Sequence, residues 1–179
     1  NGIDEYVTCG SISEIAPTSN VAVSLWFQAP NLSEYDCFVS RKVDSNNLYK
    51  VWFYGTKIYL EVYEGSSKYG RSIAFTPDSD LHHLVAIWDT SGTADANATL
   101  YLDGSSPTHT AIGGSGNSGC STNFQIGLGD TDYFSGIINE VATFNTVLSL
   151  AQVQELFNDG VAFDLDGSTL TGSPTLVNY

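Results

Sequence analysis

Cleavage of a glycosidic bond with retention needs two carboxyl groups about 5–5.5 Å apart across one cleft. Alternate positions on a strand supply that separation. The nearest candidate is Glu61-Val62-Tyr63-Glu64. Glu61 and Glu64 are three apart, so a regular strand sends them to opposite faces. A nucleophile elbow would read Gly-x-Ser-x-Gly after a strand. Gly113-Gly114-Ser115-Gly116 falls in a Gly/Ser-rich loop and does not match. His82 and His83 open a strand with no nucleophile placed beside them by the sequence. The sequence therefore predicts no catalytic residues and no enzyme.

Two other chemistries have candidates. Calcium takes six to eight oxygens from carboxylates, amides and backbone carbonyls, usually on loops. Asp44 and Asn46 sit in one polar turn, and Asp130 and Asp132 in another. Asp and Asn are also common in turns for backbone reasons alone. Saccharides stack on aromatic rings, and Trp52, Tyr54, Tyr59 and Tyr63 share one parity of a predicted hairpin. Large amphipathic rings bury much area with a polar handle, and Lys50 and Glu61 on that face could orient hydroxyls. The same pattern also suits a face covered by a loop or by a second sheet.

The elements that must position these residues are strands. Val21 to Gln28 alternates Val21, Val23, Leu25 and Phe27 against Ala22, Ser24 and Trp26. Tyr35 to Lys42 follows. Leu48 to Tyr63 is a hairpin around Gly55-Thr56, a type II′ pair. That turn sets Tyr54 opposite Lys57, Trp52 opposite Tyr59, and Lys50 opposite Glu61. Gly65 to Gly70 reads as a loop before a strand over Arg71 to Thr76. Leu81 to Asp89, Ala98 to Asp103 and Asn123 to Leu128 are further strands, and Asp4 to Gly10 is the first. About eleven short strands with frequent turns predict a sandwich or barrel. Ile137 to Phe144 is apolar on both parities and reads as a strand buried on both sides. One helix follows it, with Ser149 as N-cap, Gln152 at the capping-box position, Leu148 and Val153 as a staple, and Gly160 as the stop.

The length of 179 residues suits one domain. Six Lys and Arg against 20 Asp and Glu leave a formal charge of −14. Such a surface repels phosphate backbones and anionic lipid, which argues against nucleic acid as a partner. No run approaches the roughly 20 apolar residues of a spanning helix, so membrane insertion is not expected. Cys9, Cys37 and Cys120 show no zinc spacing. Cys9 and Cys37 read as small core residues in preference to a disulfide pair, whereas Cys120 lies in the Gly/Ser loop with its pairing left open. Trp26 and Trp88 read as core. The Asn31 and Asn97 glycosylation patterns are short enough to be chance matches.

Gly136, Ile138, Asn139, Glu140, Val141, Asn145, Leu148, Ser149 and Val153 resemble the closing strand and helix of laminin-G-like jelly rolls, in the concanavalin A-like superfamily. The family's usual Asp is Asn139 here, which weakens a calcium site that uses that Asp. The resemblance implies an all-β, two-sheet antiparallel β-sandwich (jelly roll), with one short helix after the last long strand, as a single domain over 1–179. Both ends are expected to continue into a longer chain. Asp44, Asn46, Asp130 and Asp132 are similar in position to the calcium loops of pentraxins. The opening Asp4 to Gly10 and the tail through Asp164, Leu165 and Tyr179 are similar to laminin-G-like segments of bacteriophage structural proteins. The expected function is a non-catalytic module for carbohydrate or a cell or particle surface, with calcium as its expected cofactor. A virion decoration domain without a sugar ligand is the alternative, and a glycoside hydrolase the third. Expected partners are a glycan or surface ligand and a parent polypeptide or particle, with an extracellular or virion-surface location.

Overall fold

The computed structural model describes residues 5–44, 46–65, 67–91, 94–115, 120–161, 171 and 176–178. Asp164, Leu165, Tyr179, Ser45 and positions 116–119 lie outside the described residues. The chain runs β1 (Val7–Thr8), β2 (Val21–Gln28), β3 (Cys37–Asp44), β4 (Asn47–Tyr54), β5 (Lys57–Glu64), β6 (Ser67–Ala74) and β7 (His82–Trp88). It continues with β8 (Ala98–Leu102), β9 (Thr110–Ala111), β10 (Gly114–Ser115), β11 (Gln125–Ile126) and β12 (Ile137–Phe144). Helix α1 (Leu150–Phe157) and β13 (Leu176–Asn178) close it. Eight strands form one sheet in the order β1-β11-β3-β4-β5-β6-β10, with β9 also on β6. Five form the other, β13-β12-β2-β7-β8. This is the two-sheet antiparallel sandwich with one late helix.

Alternation builds the core. Val21, Val23, Leu25 and Phe27 of β2 meet Tyr49, Val51 and Phe53 of β4 and Ile58, Leu60 and Val62 of β5 between the sheets. Each such side chain contributes about 1.5–3 kcal/mol when fully buried. Tyr49 crosses the gap, its hydroxyl donating to Ala86 O at 2.8 Å. Trp88 belongs to this core and donates its indole N–H to Pro17 O. Trp26 is buried elsewhere, on the outer face of the five-stranded sheet, where it stacks on Phe157. That outer face carries a second cluster: Ala22, Val85, Ala142 and Phe144 under Leu148, Val153 and Leu156.

The hairpin register holds residue for residue, with Tyr54↔Lys57, Trp52↔Tyr59 and Lys50↔Glu61. The capping box of Ser149 and Gln152 is complete. Several expectations shift. β1 is two residues long, and β11 likewise covers only Gln125–Ile126 of the expected 123–128 strand. β6 starts at Ser67, because Gly65 with φ 65° turns the chain tightly and Ser67 pairs with Glu64 at once. The helix ends at Asn158 in the left-handed region (φ 44°), two residues before Gly160. Cys9 is exposed, whereas Cys37 is buried.

β12 is not buried on both sides: Ile137 is 52 % exposed and Asn139 and Glu140 are open. α1 covers its far half, and among the described residues β13 pairs with it at Thr143 and Phe144. A bulge between Asn139 and Ala142, with Glu140 at φ 49°, bends the near half away. Gly136 precedes it because a Cβ there would lie 2.3 Å from Gln28 O.

Candidate functional site

The outer face of the eight-stranded sheet is built from cross-strand rows. The first row is Lys42, Leu48, Tyr63 and Lys68; the second is Gln125, Ser40, Lys50, Glu61 and Gly70. The third is Cys37, Trp52, Tyr59 and Ser72; the fourth is Tyr54, Lys57 and Ala74. On either side of β11, Cys120 and the stretch from Leu128 fold over part of the first two rows. Ser40 donates its hydroxyl to Leu128 O at 2.7 Å, and Gly129 packs onto Cys37 and Lys50. A Cβ at Gly129 would approach the Cys37 Cβ to 3.2 Å and the Lys50 Nζ to 3.3 Å, so the cover fits this closely only without a side chain.

Leu48, Lys50, Glu61 and Tyr63 are consequently buried. Burial, with Glu61 beside it, pushes the Tyr63 phenol up to about 12. Burial pushes the Cys120 thiol up to about 11. Tyr63 therefore leaves the exposed aromatic set predicted from parity, because parity assigns a face and a loop then decides whether that face is open.

In the last two rows Cys37 and Ser72 are buried, and the aromatic positions are more open. Trp52 and Tyr59 are half-buried, and Tyr54 is 37 % exposed. Trp52 stacks on Tyr59 at 5.0 Å and on Tyr35 at 5.9 Å with planes 3° apart. Tyr35 also meets Tyr54 at 5.1 Å. Lys50 Nζ lies 5.0 Å over the Trp52 ring, a cation–π contact from below the cover. The sequence reading missed Tyr35, which it placed at the start of a strand; β3 begins two residues later, at Cys37. Its φ of 76° is costly for a side chain with a Cβ. The backbone holds it there: Tyr35 N donates to Phe53 O, and Phe53 N to Asp36 O. The buried Asp36 carboxylate accepts from Ser33 N and Oγ at 3.0 Å and from Ser135 N at 3.2 Å.

The acidic loops do not meet. Asp44 ends β3, where its carboxylate accepts from Asn46 N and Asn47 Nδ2, contacts that hold its carboxyl below the ordinary range. Asp130 and Asp132 follow Gly129, which packs at the Cys37 end of the same eight-residue strand. At about 3.3 Å per residue, most of the strand's length separates them. The Lys50 ammonium also sits beside Gly129. Among the described residues no three His, Cys, Asp or Glu side chains converge to hold a metal. Asp44, Asn46, Asp130 and Asp132 do not fit one shared calcium site.

Ser24 Oγ lies 2.8 Å from His83 Nε2, the spacing of a nucleophile and its base. Both are buried, sealed by Trp26 and Phe157. Asp103 does not complete a relay: its carboxylate binds His82 Nδ1 at 2.8 Å and His83 N, and among the described residues His83 Nδ1 has no partner. Burial lowers His83 to about 4. His82 is raised, burial opposing the bonds to Asp103 and Asp78 that raise it. A cleft of about 660 Å³ opens elsewhere, lined by Tyr6, Val7, Pro30, Phe134, Ile137 and Ile138 among others. It includes none of the predicted site residues.

The family model for the concanavalin A-like lectin/glucanase superfamily, of laminin-G type, matches residues 1–154. The chain belongs to this superfamily. No curated protein matches it. Among solved structures the concanavalin A-like sandwich is similar to domain 4 of an extracellular arabinanase from Geobacillus stearothermophilus, solved with arabinotriose. There the identity is 19 %, the TM-score 0.58, and the match covers 77 % of this chain and 66 % of that one. It is also similar to the botulinum neurotoxin serotype G binding domain, with 13 % identity, TM-score 0.62, and 88 % and 41 % of the two chains. Domains LG4-5 of the mouse laminin α1 chain match at 11 % identity and TM-score 0.52, over 77 % and 37 %. The chain thus spans less than two thirds of each of these, and the likeness is one of fold.

Proposed function

We propose that this domain is a non-catalytic saccharide-binding module whose ligand lies on the open end of the eight-stranded sheet. The observation that carries this reading is the exposed cluster of Tyr35, Trp52, Tyr54 and Tyr59. Trp52 is half-buried against Tyr35, Tyr59 and Lys50, so the more exposed rings of Tyr35 and Tyr54 offer the contact surface. Stacking on sugar C–H faces needs such rigid, amphipathic rings. Solved relatives include a domain holding arabinotriose, which supports a saccharide ligand and an extracellular setting. Glu61 is buried against Tyr63 under the loop, and Glu64 has the opposite parity, which supports a binding role over glycoside cleavage. Calcium takes no part at the platform in this reading.

Affinity electrophoresis through immobilised polysaccharides tests it. Tyr54→Ala is expected to weaken retention about tenfold or more, the loss of one stacked ring contact. The melting temperature should fall only slightly, since this residue is 37 % exposed and packs only on Tyr35 and Trp52 among the rings. Tyr35→Gly is expected to weaken binding similarly without lowering stability, because relief of the left-handed backbone offsets the lost ring contact. Chelator should change neither result. Retention that survives both substitutions would refute the platform. Absence of any saccharide binding would leave the domain as a scaffold or decoration piece of a larger particle.

A further inference from the structure

All six cationic side chains of the chain lie between positions 41 and 71, and none occurs in the remaining sequence. The fold places them on four adjacent strands, β3 to β6. The four lysines, Lys42, Lys50, Lys57 and Lys68, fall on the outer-face rows, while Arg41 and Arg71 take the opposite parity. Arg41 is buried, bonding to Ile15 O and Ser11 Oγ. In a molecule of charge −14, one face thus holds every lysine. Among the described residues Lys57 and Lys68 make no ion pair, though 20 acidic residues are available in the chain.

Five acids lie on or beside this surface, against its four lysines. Glu61 is buried beside Lys50 and Tyr63. Asp130 and Asp132 lie on the covering segment, Asp44 at the far end of β3, and Glu34 near Tyr54. Acids on the other sheet lie beyond a sandwich spacing of about 10 Å. Lys57 is the cation of the open end: it stands directly opposite Tyr54 and shares the face of Tyr59.

We infer that the platform takes an acidic saccharide, its ring against Tyr35 and Tyr54 and its carboxylate or sulfate paired with Lys57. This rests on the saccharide reading above and adds the ligand's charge. A flexible ammonium beside a ring surface suits a single pendant anion on a sugar. The acidic remainder of the molecule would repel such a ligand from every other face and orient its approach.

The test pairs acidic saccharides with neutral counterparts: polygalacturonate with its methyl ester, dextran sulfate with dextran, and a sialylated glycan with its desialylated form. Calorimetry at low and high salt compares the unaltered protein with Lys57→Gln and Tyr54→Ala. At least one acidic member is expected to bind about tenfold tighter than its neutral partner at low salt, the scale of one charge-assisted hydrogen bond. Lys57→Gln should erase that advantage and high salt should shrink it, while Tyr54→Ala weakens both members. The pair that shows the advantage separates carboxylate from sulfate. Equal binding of acid and neutral forms in every pair, still lost in Tyr54→Ala, overturns the acidic class and leaves the saccharide reading intact. An advantage that persists in Lys57→Gln overturns the role of Lys57. Binding by none of them removes both readings.

Discussion

Asp36→Ala is expected to lower stability by about 3 kcal/mol and to abolish saccharide retention together. The carboxylate is 3 % exposed and accepts three hydrogen bonds, from Ser33 N, Ser33 Oγ and Ser135 N. Hydrogen bonds to a charged group contribute about 1.5–3 kcal/mol each, and relief of the buried charge offsets part of their sum. The substitution strands two backbone N–H groups, the costlier half of a broken bond. For a domain of this size the loss lowers the melting temperature by roughly 6–12 °C. The same bonds anchor the turn that carries Tyr35, so the ring leaves its stack on Trp52. Asp36→Asn keeps one acceptor oxygen and should cost about 1 kcal/mol. Denaturant unfolding and polysaccharide retention, measured on both variants, check this. If Asp36→Ala unfolds at the original midpoint, or binds normally, the anchoring role is wrong.

The second large effect is acid lability through His83. Its folded value is depressed to about 4 from an ordinary 6.5, because burial disfavours the cation. Such a group contributes stability that is fully present above 6.5 and lost as pH falls through its folded value. Between these limits the unfolded chain binds a proton that the folded one refuses. At about 1.4 kcal/mol per unit, the gap amounts to roughly 3 kcal/mol. His82 acts with the opposite sign. Its value is raised, so its stabilising bonds to Asp78 and Asp103 are complete below 6.5 and are lost as pH rises through its folded value. Stability should therefore peak between the two windows. Urea titrations across pH 4 to 8 should show this maximum, and His83→Gln should flatten its acid side by about one proton. A curve flat from pH 7 to 4.5 would contradict a neutral, sealed imidazole.

The two histidines also show how little adjacency says about role. They are neighbours in sequence, and strand alternation sends them to opposite faces. His82 packs against Phe27 and Phe75 and bridges two carboxylates. His83 is sealed beneath Trp26 and Phe157 with Ser24. A serine at hydrogen-bond distance from an imidazole is chemically idle when no substrate can reach it.

Local rules carried much of the fold. Period-two alternation chose the inner face of β2, and the Gly55-Thr56 turn set the hairpin register, because both depend on neighbours within a few residues. The Ser149 capping box was legible for the same reason. The closing strand and helix, with the residues that resemble laminin-G-like sandwiches, pointed to the superfamily whose model matches residues 1–154. Trp52, Tyr54 and Tyr59 could be assigned to one face by parity alone. Whether that face was open could not. Cys120, Leu128 and Gly129, distant in sequence, close over Lys50, Glu61 and Tyr63 and leave Tyr54 exposed. Tyr35 joins the platform through a left-handed backbone held by Phe53 and Asp36, a contact no spacing predicts. The exposed half of β12 follows from how far α1 reaches across the sheet. Coverage and convergence are long-range properties: they depend on which distant segment lands on a surface, and periodicity carries no record of that.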